Sequence, residues 1–286
     1  MWFLLALGTA VFFATQSALA KRAGREHHTD VVAWAAFLYA IPVYSVFLAV
    51  KGIPAVQPAF WLWMPLSLAT NLVAMPLFFR ALYEGELSVV LPLGMLTPLF
   101  ALLTEYLLLG DSPSAPAFGG IALIVLGAYL LHAGSIRQGI FTPFRLLARD
   151  KGARLMMAVT AIWSISAVAD RGAVLSSSPA FYTFVFCISF TVTFLPWLLI
   201  KQRPGILKTL TRPRLLVPVG IFGSLMAICQ MSALGLALTT MVISVKRLAG
   251  LFGVLVGGLL FKEKALGVRL FAAAIMLGGT VLLALS

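Results

Sequence analysis

The chain has 286 residues, 61% of them hydrophobic and 10% charged, with a mean hydropathy of +1.03. A soluble domain carries about a quarter charged residues, so this composition excludes one and identifies an integral membrane protein whose first partner is the lipid bilayer. The net charge of +12 would suggest nucleic acid in a soluble chain, but most of the excess lies in loops beside apolar runs, where orientation accounts for it and no nucleic acid is implied.

The first apolar run, Trp2 to Ala20, ends in Ser17-Ala18-Leu19-Ala20 and imitates a signal peptide, but no positive charge precedes it. It is expected to stay as a helix, because an internal repeat needs it. Hydropathy then marks Val32 to Val50, Phe60 to Leu82, Leu87 to Leu108 and Pro116 to Ala133. The polar stretch Gly134 to Gly152 divides the chain. A second set of five follows: Ala153 to Asp170, Ala180 to Ile200, Leu215 to Leu236, Met241 to Phe261 and Ala265 to Leu285. The connections are short apart from the divider and the basic stretch Lys201 to Arg214. Prolines inside the spans, at Pro42, Pro65, Pro76, Pro92, Pro98, Pro196 and Pro218, are expected to kink the helices without ending them. Cys187 and Cys229 both lie in apolar runs, so neither a disulfide framework nor a metal site is indicated, and no cofactor is expected.

The two halves resemble one another. Ala81-Leu82 at the end of span three matches Ala233-Leu234 at the end of span eight, and the same offset aligns Val90, Leu96, Leu99, Phe100, Leu103, Leu107 and Leu108 with identical residues in span nine. It also sets Leu109-Gly110-Asp111 against Phe261-Lys262-Glu263. With a one-residue slip Leu126-Gly127 pairs with Leu277-Gly278; near the start, in a separate register, Ser17 to Arg22 pairs with Ser166 to Arg171. Five spans per copy insert the second copy upside down, so the expected fold is an all-α membrane protein of ten helices in two inverted repeats, residues 1–133 and 153–286, joined by the loop 134–152.

This pattern, with Ala-Leu closing the third span, a Pro-rich fourth span ending in Leu-Gly-acid and a late Leu-Gly in the fifth, resembles the EamA domain of the drug/metabolite transporter superfamily. The resemblance covers essentially the whole chain as two domains and implies a carrier working by alternating access, not an enzyme. Its substrate stays open, because members of that superfamily carry amino acids, sugars, nucleotides and drugs.

Alternate loops hold Lys21, Arg22 and Arg25, then Arg137, Arg145, Arg149 and Lys151, then Lys201, Arg203, Lys208, Arg212 and Arg214, then Lys262 and Lys264. The positive-inside rule places these in the cytoplasm and both termini outside. Ten-helix relatives mostly have both termini inside, so the charges depart from the family on this point. The chain starts directly with span one, without a transit peptide, and a bacterial plasma (cell inner) membrane is expected.

Lys246 and Arg247 stand side by side within span nine, Lys246 about six residues, or roughly 9 Å, from its start. A charge at mid-membrane costs about 2.5–3.5 kcal/mol on insertion scales, so the pair needs an anion or a watered cavity. Ala249, Gly250, Gly253 and Gly257 cluster around the direction of Lys246 on a helical wheel, a face that suits either a close helix neighbour or a ligand. Alternatively the pair snorkels, or bonds helix carbonyls and an acid such as Glu84 or Glu86. Ser244-Val245-Lys246-Arg247 resembles the Lys-Arg pair of the plastid sugar-phosphate translocators, where the pair binds the substrate phosphate. A point charge beside a planar fork of donors suits a multivalent oxyanion. The first copy has Gly94-Met95 at the matching positions, so the positive site belongs to one half.

Arg80 is a candidate third cation, and Gln16, Asn71, Gln230 and Ser244 are candidate polar contacts. Trp163, Phe12, Phe13, Phe78 and Phe79 are candidate apolar walls. Asp170-Arg171, at the end of span six, reads as an interfacial ion pair, and Glu105 as interfacial. No acid falls clearly at mid-membrane, which disfavours a carboxylate-based proton antiporter. The expected substrate is a small organic anion bearing phosphate or carboxylate. The alternatives are an amino-acid or metabolite exporter and a flippase for an anionic lipid.

Overall fold

The computed structural model describes residues 1–97, 100, 115–131, 147–211, 213–236 and 239–284. All regular structure among them is helical: α1 (Trp2–Ala23), α2 (Thr29–Leu38), α3 (Ile41–Lys51), α4 (Phe60–Glu84), α5 (Leu87–Leu93, continued by a 3₁₀ turn at Gly94–Leu96) and α6 (Ala115–Leu130). Then come α7 (Lys151–Leu175), α8 (Pro179–Lys201), α9 (Arg203–Thr211), α10 (Leu216–Leu234), α11 (Thr239–Lys246), α12 (Leu248–Phe261) and α13 (Leu266–Ala284). Among the described residues six helical segments are long and apolar enough to cross a bilayer, and Leu87–Leu96, Phe118–Leu130, Leu248–Phe261 and Leu266–Leu282 are shorter apolar helices. Outward-facing Leu4, Leu62, Val73, Val192, Leu259 and Phe271 give the bundle the apolar exterior that lipid requires.

Three expectations change. Span two is split into α2 and α3 at Tyr39–Ala40, immediately ahead of Pro42, whose nitrogen has no hydrogen for a continuing helix. By contrast, Pro65, Pro76 and Pro196 sit inside unbroken helices. The stretch Lys201 to Arg214, expected as a connection, contains α9. The expected end of span six at Asp170 is too early, because α7 runs on to Leu175. Beyond Phe100 the second half of span four, with Glu105 and Leu109-Gly110-Asp111, lies outside the described residues.

The most extensive packing joins α4 with α7, α6 with α13, α1 with α10 and α5 with α12. Small residues permit this approach. A Cβ added to Gly253 of α12 would stand 2.8 Å from Leu91 Cβ of α5, and one added to Gly152 of α7 would stand 2.5 Å from Gly85 Cα. The glycine face of span nine therefore meets another helix.

Charged side chains gather at one end of the bundle. Glu263 accepts the backbone N–H groups of Leu87 and Ser88, each at 2.9 Å, and the Ser88 hydroxyl at 2.6 Å, so it caps α5 from across the interface. Lys21 lies 3.3 Å from the same carboxylate and donates to the Gly85 carbonyl, Arg269 bonds Glu86 and Ser88, and Lys151 bonds Glu84. Burial pushes the Glu263 carboxyl up, but the Ser88 and Leu87 hydrogen bonds and the Lys21 charge outweigh it and hold the group below the ordinary carboxylate range. At the opposite end the Gln57 N–H donates to the Ser176 carbonyl at 2.9 Å.

Candidate functional site

Span nine is interrupted where its charges lie. Helix α11 ends at Lys246 and α12 begins at Leu248, with Arg247 as the intervening N-cap residue. Span four is irregular at the matching place, turning 3₁₀ over Gly94–Leu96, and the two irregularities face each other: a Cβ on Gly94 would lie 3.7 Å from Arg247 Nη1. Any side chain at residue 94 would occupy the space beside the guanidinium. Glycine leaves it open.

Both cations line a cavity whose walls come from both halves of the chain. Its walls are largely aromatic, with Phe13, Phe37, Phe78, Phe79, Trp163 and Phe186, and its polar groups include Gln16, Asn71, Asp170, Tyr182 and Gln230. A concave apolar surface with a few convergent polar groups is the ordinary form of a small-molecule site. Lys246 Nζ donates to Gln230 Oε1 at 2.6 Å and lies 5.1 Å from the Phe13 ring centroid and 5.9 Å from that of Trp163. One amide oxygen and two ring faces replace the water that this ammonium has lost. Arg247 Nε is buried with no hydrogen-bond partner among the described residues, and so is Gln16 Oε1. A guanidinium on the cavity wall, beside an ammonium bonded to a neutral amide, is suited to receiving an anionic acceptor from outside the chain.

Of the residues singled out in the sequence, Lys246, Arg247, Gln16, Asn71, Trp163 and Gln230 come together here. Phe13, Phe78 and Phe79 form walls, whereas Phe12 packs against Phe222. Arg80 is not at the cavity: its side chain is 49% exposed and pairs with Glu84 one turn on, because it falls on the outer face of α4. Ser244 lies on α11, its side chain outside the described ones. Glu84 and Glu86, considered as partners for the cations, serve the charged end instead.

Asp170 is the residue the sequence misplaced. It was expected in an interfacial pair with Arg171, yet it lines the cavity, where its Oδ1 accepts from Ser67 at 2.5 Å, Tyr182 at 2.6 Å and Ser166 at 3.5 Å. Asn71 supports the group by donating to Ser166 at 2.6 Å and to the Ser67 carbonyl at 2.9 Å. Neighbours on a helix point about 100° apart, so Asp170 faces inward while the buried Nε of Arg171 has no hydrogen-bond partner among the described residues. An acid therefore does lie inside the bundle. The signal was the apolar Gly172-Ala173-Val174-Leu175, which carries the helix a further turn.

A family model, the EamA-like transporter family, matches residues 1–133 and 150–285. A crystal structure of a protein with 16% sequence identity is similar over 98% of this chain and 95% of that one, with a TM-score of 0.67, a likeness of fold alone. Among curated proteins no sequence matches the chain.

Proposed function

The chain belongs to the EamA-like transporter family, and on that premise we propose that it is a secondary-active carrier of a small organic anion, phosphate- or carboxylate-bearing, with Lys246 and Arg247 as the binding cations. The observation that carries this is the placement of the Lys246 ammonium, bonded to a neutral amide, and the adjoining Arg247 guanidinium on the wall of the aromatic cavity at an irregularity of the helix. Broken helices at the boundary between two repeats are where transporters of this general build hold their substrates.

Alternating access between two inverted five-helix repeats draws support from the packing. The pairs are span one with eight, three with six, four with nine and five with ten. Exchanging each span of the first half for its counterpart in the second returns the same set, as a two-fold relation requires. The Lys21, Glu263 and Arg269 cluster would close one end while the cavity is reached from the other. That closed end carries the basic loops, so the positive-inside rule makes it cytoplasmic, in a bacterial plasma membrane with both termini outside.

The test is uptake of labelled phosphate esters and carboxylates by liposomes holding the purified protein, compared with Lys246→Gln and Arg247→Gln. Transport is expected to fall at least tenfold in each variant, the loss of about 1.4 kcal/mol or more of binding. Undiminished transport by both removes the cations from the mechanism. Asp170 favours a second reading, an amino acid whose carboxylate meets the cations and whose ammonium meets Asp170. That reading requires an amino group on every transported species.

A further inference from the structure

The oxygens of Asp170, Ser67 and Tyr182 form a closed triangle. Ser67 Oγ lies 2.5 Å from Asp170 Oδ1, the Tyr182 hydroxyl lies 2.6 Å from the same oxygen, and the two hydroxyls lie 2.8 Å apart. Each side has the length of an O–H···O bond and needs a hydrogen of its own. Ser67 and Tyr182 bring one each. With Asp170 ionised, two sides are hydrogen-bonded and the third sets lone pair against lone pair. A proton on Asp170 completes the ring, with Asp170 donating to Ser67, Ser67 to Tyr182 and Tyr182 to Asp170.

We infer that the Asp170–Ser67–Tyr182 triangle is a proton-binding site, filled when an anion occupies Lys246 and Arg247, so that substrate and proton cross together. The coupling rests on the anion reading above; the proton site rests on the triangle. The groups that face Asp170 are few. Helix α4 brings the neutral Ser67 and Asn71, α8 brings the Tyr182 phenol with Tyr44 of α3 beyond it, α10 brings the neutral Gln230, and the end of α11 brings Lys246 with Arg247 after it. The charges of Lys246 and Asp170 act on one another.

With Asp170 ionised, the two cations leave the cavity one positive charge in excess. A dianion reverses that to one negative charge, and a proton on Asp170 returns it to neutrality. A charge buried in lipid is costly, so the neutral, doubly loaded form is the one that crosses most readily. The proton comes from water in the cavity and binds the carboxylate; no covalent bond of the substrate changes. A protonated Asp170 also offers no counter-charge to an ammonium, which separates this site from the amino-acid reading.

Infrared difference spectra of the reconstituted full chain, between acid and neutral pH, should contain, beside the bands of the other acids, a protonated-carboxyl component that Asp170→Asn removes and Tyr182→Phe shifts. Adding glycerol 3-phosphate, a dianion near neutrality with no carboxyl of its own, should move the midpoint of that component to higher pH by about one unit, a tenfold gain in proton affinity, and should not do so in Lys246→Gln. Carboxyl bands that are the same in wild type and Asp170→Asn overturn the proton site. A midpoint unmoved by glycerol 3-phosphate that binds the wild-type protein overturns the coupling. Failure of glycerol 3-phosphate to bind any form overturns the coupling to a phosphate dianion together with that substrate, and the Asp170 component alone then decides for or against the proton site.

Discussion

Lys246 donates to Gln230 at 2.6 Å across the interface between α11 and α10, so the hydrogen-bond partner that holds the ammonium is a neutral amide and not a carboxylate. Had a carboxylate stood in place of Gln230, the ion pair would have closed on itself. An uncharged acceptor fixes the position of the cation and leaves its charge available to an anion.

Gln230→Leu should lower the apparent melting temperature and weaken anion binding. Hydrogen bonds between membrane helices contribute about 0.6–1.7 kcal/mol, about threefold to roughly twentyfold in affinity. Thermal shift with and without anion measures both, because a ligand bound only by the folded state raises apparent stability. Unchanged values in both would show that the amide holds nothing.

Arg80→Gln should leave transport unchanged. Its exposed pairing with Glu84 is of the class that contributes about 0.3–0.5 kcal/mol, and it does not line the cavity. An uptake rate reduced as far as in Lys246→Gln would place Arg80 on the substrate's path.

Gly152→Ala should destabilise the protein by about 1–3 kcal/mol, because the new Cβ would meet Gly85 Cα at 2.5 Å and Gly85 N at 2.7 Å, backbone that cannot step aside. Gly267→Ala is the control. Nothing lies within 4 Å of a Cβ there, and alanine favours the helix by up to about 1 kcal/mol. Chemical or thermal unfolding in detergent should rank the two variants on opposite sides of wild type.

Glu263 predicts an acid sensitivity with a definite sign. Its folded carboxyl titrates below the ordinary value of 4.5, so its contribution to stability is complete above that value and disappears as pH falls through the lower folded one. Glu263→Gln should be less stable than wild type near neutrality and should lose less on acidification. Parallel stability curves for the two proteins below pH 4.5 would exclude this role.

Much of the site was legible because it violates the medium around it. Two cations in an apolar run stand out in any sequence, and the Gly94-Met95 counterpart showed that they belong to one copy. The glycine face of span nine was visible too, but its partner was not. Wheel geometry gives a direction without saying what lies along it, and that face packs on Leu91 and Pro92 of α5.

The sequence by itself determined membrane residence, the repeat, the basic loops and the presence of the Lys246–Arg247 pair within span nine, since each follows from composition, periodicity or the pattern of charge along one chain. Only the tertiary structure decided that Asp170 shares their cavity, that Arg80 does not, and that Gln230, Phe13 and Trp163 surround Lys246. Those relations join helices distant in sequence. Whether a charge near a helix end faces the cavity or the outside turns on one residue of rotation, about 100°, which hydropathy summed over a span does not resolve.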